Sequence, residues 1–110
     1  MKKILLISDT HGYLDETILK YVKDSDITIH AGDVGNEKLI NTIRKHTFFI
    51  GVYGNIDDHR LRSTLKENEI IIIENHKFLI THIAGTSPNY NKKVKKLISD
   101  EKPNILIYGH

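Results

Sequence analysis

Six side chains of metal-ligating type each stand just after a stretch that reads as a β-strand. Asp9 and His11 follow Ile4-Leu5-Leu6-Ile7 as Asp-x-His, and Asp33 follows Ile27-Thr28-Ile29-His30 within Gly32-Asp33. Asn55 follows Thr47–Tyr53 within Gly54-Asn55, His82 follows Lys77–Thr81, and His110 follows Ile105–Tyr108 within Gly109-His110. Two carboxylates, three imidazoles and a carboxamide form a mixed N/O donor set. Such a set suits Mn²⁺, Fe, Zn²⁺, Ni²⁺ or Co²⁺ and holds too many imidazoles for a Ca²⁺ or Mg²⁺ cage. Six donors exceed what one ion needs if water and substrate are also to reach it. A carboxylate such as Asp33 can instead bridge two ions about 3.5–4 Å apart, the separation of two-metal hydrolytic centres. Singly, each residue has an ordinary reading: Asp9 caps a turn, Gly-Asp and Gly-Asn are turn dipeptides, and a histidine after an apolar strand is usually structural. The joint order at strand ends is what points to a metal site.

The elements that must position these residues follow from the hydrophobic pattern. The first run, of four apolar residues, reads as a strand buried on both faces, and its carboxyl end is where open α/β sheets place ligand sites. Leu14–Lys23 then sets Leu14, Ile18, Leu19 and Val22 on one helical face. Asn36 caps a second helix, Glu37–Lys45, with Leu39, Ile40 and Ile43 inward. Leu61–Lys66 predicts a short helix. Ile70–Ile73 and Lys77–Thr81 predict a hairpin turning at Asn75-His76. Gly85–Asn91 reads as a loop, and Tyr90–Asp100 as a helix with Val94, Leu97 and Ile98 inward, closed by Pro103. The order predicts one α/β layered domain over residues 1–110 with a mostly parallel first sheet.

Composition narrows the classes. At 110 residues the chain can bury one core. A net charge of +2 and the lack of an aromatic-basic stripe argue against nucleic acid as partner. With no cysteine there are no disulfides and no thiolate metal sites, which fits a cytoplasmic setting. The apolar run after Lys2 and Lys3 is too short for a membrane span or a secretory signal. Seven histidines without a cysteine again favour N/O ligation.

Taken in order, Asp9-x-His11, Gly32-Asp33, Gly54-Asn55-x-Asp57, the isolated His82 and Gly109-His110 resemble the calcineurin-like metallophosphoesterases, and most of all their small bacterial and archaeal phosphodiesterases. The resemblance spans essentially the whole chain. It implies a β-sandwich flanked by helices with two divalent ions, Mn²⁺ first among the candidates, above the strand ends. Asp9 and His11 would hold the first ion, Asp33 would bridge both, and Asn55, His82 and His110 would complete the second. Asp33 and Asn55 would also act on the substrate. The implied reaction is attack of a metal-held hydroxide on the phosphorus of a small phosphodiester. Two departures stand out. The family's last motif is Gly-His-x-His, and this chain stops at its first histidine, which implies missing C-terminal strands of the second sheet and an apolar edge that invites homo-oligomers. Many relatives also have a histidine, the implied general acid, where Ile56 stands; its absence favours good leaving groups unless His59 substitutes.

Two rivals stay open. The resemblance extends to a retromer subunit that uses this fold as a protein-interaction scaffold, and a nuclease would use the same ligands. Among the other residues, His30 reads either as a partner of a metal-bound carboxylate or as a structural strand histidine. Asp57 reads as orienting its loop. His46 and His76 are expected at the surface. Lys92, Lys93, Lys95 and Lys96 form either a solvated helix face or a steering patch, and Tyr13, Tyr53 and Tyr90 either pack or touch substrate.

Overall fold

The computed structural model describes residues 2–83, 85–86 and 89–109, and the backbone alone at 85, 86 and 89. Three parallel strands, β1 (Ile4–Ile7), β2 (Ile27–His30) and β3 (Phe48–Gly51), form one sheet in the order β1-β2-β3. Helices α1 (Glu16–Lys23), α2 (Glu37–Arg44) and α3 (His59–Thr64) complete this half. The second sheet runs β4-β5-β8, from β4 (Asn68–Ile73), β5 (His76–Thr81) and β8 (Ile105–Tyr108). β4 and β5 are antiparallel, and α4 (Lys92–Glu101) carries the chain over to β8, parallel to β5. The α/β sandwich expected from the sequence is therefore present, and the first sheet is wholly parallel.

Period-two alternation along β2 divides the core in two. Ile27 and Ile29 face the second sheet and pack with Val52 and Ile80. On the helix side, Leu5, Ile7 and Phe49 pack with Val22 of α1, with Leu39, Ile40 and Ile43 of α2, and with Leu61 of α3. The helix stripes read from the sequence are the buried ones. Each helix is also capped as its residues dictate: Asp15, Asn36, Asp58 and Asn91 accept from the amides of Ile18, Leu39, Leu61 and Val94.

Several expectations shift. β2, not β1, is the strand buried on both faces; β1 lies at the edge, with Leu6 54% exposed. β3 ends at Gly51: the Val52 amide still donates to the His30 carbonyl of β2, but Val52 also bridges to Lys66 and the Tyr53 amide goes to the Lys66 carbonyl. The hairpin turns at Glu74-Asn75, one residue early, with φ of +46° and +69°. This is the primed geometry that matches strand twist, here formed without glycine. α1 starts at Glu16 and α3 at His59, each one residue after its aspartate cap. Part of the expected loop after Ile83 is a two-residue pairing of β6 (Gly85–Thr86) with β7 (Asn89–Tyr90), and α4 starts only at Lys92.

Candidate metal centre

The ligand loops of the first sheet are built on one another. The β1–β2 ladder continues past both strands: the amides of Asp9, His11 and Gly12 donate to the carbonyls of Gly32, Asp33 and Val34. Holding this register puts Asp9, His11 and Asp33 in the left-handed region, at φ of +53°, +50° and +59°. For residues with a Cβ that conformation costs about 1–3 kcal/mol each and persists only where neighbours over-determine it.

Asp57 supplies that determination. Its Oδ2 accepts from the amides of Gly54 at 2.8 Å and Val34 at 3.1 Å, and its Oδ1 from Gly35 at 2.8 Å, in a buried setting. One carboxylate thus ties the loop after β2 to the loop after β3, the orienting part expected of it. Gly54 can serve as its partner because any Cβ there would overlap the Asp33 carboxylate.

His30 holds the floor. Thr10 gives its hydroxyl proton to the Val34 carbonyl at 2.9 Å, so its oxygen accepts from His30 Nε2 at 2.9 Å. His30 Nδ1 accepts from the Gly32 amide at 3.1 Å. Both ring nitrogens are satisfied in the neutral form. Burial lowers the pKa of His30 to about 4, although the Asp57 and Asp9 carboxylates pull it upward. The ring therefore supports the Asp9–Asp33 turns through Thr10 and Gly32; the partnership with a metal-bound carboxylate considered for it is not what the structure shows.

Onto this platform five of the six expected ligands converge. His82 Nε2 lies 3.2 Å from Asp33 Oδ2, 3.0 Å from Asn55 Oδ1 and 3.9 Å from Asp9 Oδ1. His11 Nε2 lies 3.7 Å from Asp33 Oδ2 and 3.9 Å from Asp9 Oδ1. His82 and Asp33 are buried, whereas Asp9, His11 and Asn55 face solvent. The sixth, His110, lies outside the described residues.

The donor set fits a divalent ion. His82 Nδ1 donates to the Ala31 carbonyl at 2.7 Å, so a neutral ring turns the lone pair of Nε2 toward the cluster. Asp33 Oδ1 takes the Ile56 amide at 3.0 Å, which leaves Oδ2 as the inward oxygen. Nε2, Asp33 Oδ2 and Asn55 Oδ1 then share one small volume as acceptors, an arrangement a cation reconciles. Asp9, Asp33 and His82 alone place three such atoms within 4.8 Å of one another. With His11 and Asn55 adjoining, the residues suffice to hold a divalent ion and leave an open side.

Other expectations resolve here. His46, His59 and His76 are exposed, and no described contact ties His59 to the cluster. Lys93 is engaged by Glu67, which raises its pKa. Tyr13 is exposed, Tyr90 packs edge-on against Tyr108, and Tyr53 lines a cleft beside Asn55 and His82. Sequence reasoning gave no part to Thr10 or to Arg62, whose side chain binds the Asn55 and Asp57 carbonyls. Thr10 was at best visible as the middle residue of Asp-x-His; nothing in the sequence singled out Arg62.

Residues 1–110 match the model of the calcineurin-like phosphoesterase superfamily domain. A curated "Probable metallophosphoesterase" of Mycoplasma pneumoniae is 30% identical over 117 residues, covering 100% of this chain and 67% of its own length. A second, from Methanocaldococcus jannaschii, is 27% identical over 111 residues, covering 96% of this chain and 56% of its own. Among solved structures, Vps29 of Entamoeba histolytica complexed with Zn²⁺ superposes with a TM-score of 0.72 at 19% identity, over 96% of this chain and 62% of that one. The chain thus spans little more than half of the archaeal relative and about two thirds of the bacterial one.

Two outcomes follow from the loop supports. Asp57→Ala orphans three amides and is expected to lower unfolding free energy in urea by about 3 kcal/mol or more, with Asp57→Asn losing less. An effect below about 1 kcal/mol would remove Asp57 from this part. For His30, the unfolded ring takes up its proton near pH 6.5 and the folded ring only near 4. Stability is therefore full above pH 6.5 and is lost as pH falls from 6.5 toward 4, at up to about 1.4 kcal/mol per pH unit. Urea unfolding between pH 5 and 6.5 should show this slope in the wild type and lose it in His30→Gln; equal slopes would contradict it.

Proposed function

The chain belongs to the calcineurin-like phosphoesterase superfamily, and from that membership we propose that it is a divalent-metal-dependent phosphodiesterase acting on a small substrate. The observation that carries this reading is the convergence of Asp9, His11, Asp33, Asn55 and His82, one or two residues from each of four strand ends, on one open-sided cluster. Asp9 and His11 would hold one ion, Asp33 would touch both, and Asn55 and His82, with His110, would hold the other. Mn²⁺ is the first candidate, and Zn²⁺, the ion in the Entamoeba Vps29 complex, the second. When bound, the ions supply Lewis acidity toward a water and the phosphoryl oxygens.

The chain's own residues do the rest. Ala31 fixes the His82 ring through Nδ1, and Ile56 fixes the Asp33 carboxylate through Oδ1, so neither side chain need reorient when substrate arrives. With Asn55 Oδ1 turned to the cluster, its NH₂ is available to donate to a phosphoryl oxygen. His11, on the exposed side, borders the approach of the substrate. Ile56 stands where the resemblance implies a proton donor in many relatives, and it offers only its amide, already given to Asp33. Leaving groups that depart without a proton should accordingly react best.

The scaffold alternative predicts substituted ligands. Every described ligand position here keeps a metal-competent side chain, which favours the enzyme. The cysteine-free composition fits work in the cytoplasm.

Hydrolysis of bis(p-nitrophenyl) phosphate with and without Mn²⁺ tests the proposal. Turnover should require the metal, and Asp33→Asn should lower it by roughly 10³-fold or more, the scale of losing one preorganised electrostatic partner of the reaction. Unchanged turnover in a folded Asp33→Asn variant would refute the assignment. Metal-independent turnover in the wild type would refute it equally.

A further inference from the structure

A cleft of about 200 Å³ opens beside Asn55 and His82, lined also by Tyr53, Arg62, Glu67 and Thr81. Among the described residues that line it, Arg62 is the one arginine or lysine. Its Nε donates to the Asp57 carbonyl at 2.8 Å and its Nη2 to the Asn55 carbonyl at 3.3 Å, and the guanidinium sits 4.8 Å from the centre of the Tyr53 ring. These partners fix the plane of the fork, yet all are neutral, so they leave its charge uncompensated.

The carboxylates around it are otherwise occupied. Asp57 takes three amides, Asp58 caps α3 through the Leu61 amide, and Glu67 is held at both oxygens by Lys93 at 2.8 and 2.9 Å. No carboxylate among the described residues pairs with Arg62. A guanidinium carries five N–H donors, of which the two carbonyls use two. An exposed fork held at two of its donors, with no carboxylate on it and donors to spare at the wall of a cleft, is an arrangement suited to a phosphate.

Asn55 separates this fork from the cluster: its carbonyl turns to Arg62 and its side chain to His82. The fork and the ligand cluster thus flank one residue, Asn55. We propose that Arg62 sets specificity by binding a second phosphate of the substrate, distinct from the phosphoryl group under attack, with the cleft taking the sugar-sized piece that joins them. The favoured substrate class is then a phosphodiester that also bears a phosphate monoester. This rests on the phosphodiesterase reading, in which the scissile group would lie at the ions that Asp33 and His82 would hold.

The test compares thymidine 3′,5′-bisphosphate with thymidine 5′-monophosphate by calorimetry on the Mn²⁺-loaded chain. The wild type should bind the bisphosphate about tenfold or more tighter, the scale of a charge-assisted bidentate contact. Arg62→Ala should bring that ratio close to one, and Arg62→Lys should restore only part of it. A wild-type ratio near one would overturn the proposal. A ratio unchanged in Arg62→Ala would do so too, as would an equal loss of both affinities, which marks a merely structural arginine. Hydrolysis of the matching 5′-p-nitrophenyl esters separates the two layers. If neither ester turns over while the binding ratio holds and collapses in Arg62→Ala, the phosphodiesterase reading fails and the second-phosphate site stands.

Discussion

The carboxylate of Asp57 is the constraint on which the rest of the site depends. Buried, and accepting from three backbone amides, it locks the loop after β2 to the loop after β3. The loop after β1 is already laddered onto the loop after β2, so all three ligand loops of the parallel sheet behave as one body. Only such a body can keep Asp9, His11 and Asp33 at positive φ, because each alone would relax to a conformation that points its side chain elsewhere. The strain is local and the compensation distributed: amides, the Thr10–His30 pair and the packing of α2 all bear on the same few residues.

His82 comes from the other sheet, and that is its structural interest. It follows β5, yet its ring is fixed by the Ala31 carbonyl at the end of β2. Gly32 lies so close to the same ring that it has no room for a Cβ, and a Cβ at Gly109 would run into the Ala31 carbonyl and Ser8. A divalent ion held by His82 together with Asp33 and Asn55 would therefore cross-link the two sheets at their strand ends, and its binding energy would also be folding energy. The edge strands β1 and β8 of the two sheets are less enclosed, with Leu6 and Tyr108 about half exposed.

Much of this was legible in the sequence, for identifiable reasons. Apolar runs that stop at a residue of metal-ligating type mark strand ends and point to Asp9, Asp33, Asn55 and His82, with an adjoining glycine at Asp33 and Asn55 only. Helix faces and the Asn36 cap followed from period and side-chain chemistry. What stayed hidden depends on contacts between distant segments. The edge position of β1 is set by strand order, which four apolar residues cannot encode. The turn at Glu74-Asn75 uses left-handed residues that carry no glycine signal. His30 looks identical in sequence whether it faces a carboxylate or a hydroxyl; the Thr10 hydroxyl, already spent on Val34, decides it. Arg62 is invisible because its meaning lies in two carbonyls and a ring brought to it by the fold.

The central claim is that strained, mutually locked loops hold a divalent ion between the two sheets. Anomalous diffraction from crystals grown with Mn²⁺, recorded at the manganese edge, tests it most directly. The account predicts a peak within about 2.0–2.3 Å of Asp33 Oδ2 and His82 Nε2, with the loop geometry unchanged. No peak at the cluster, or manganese bound elsewhere on the molecule, would contradict it.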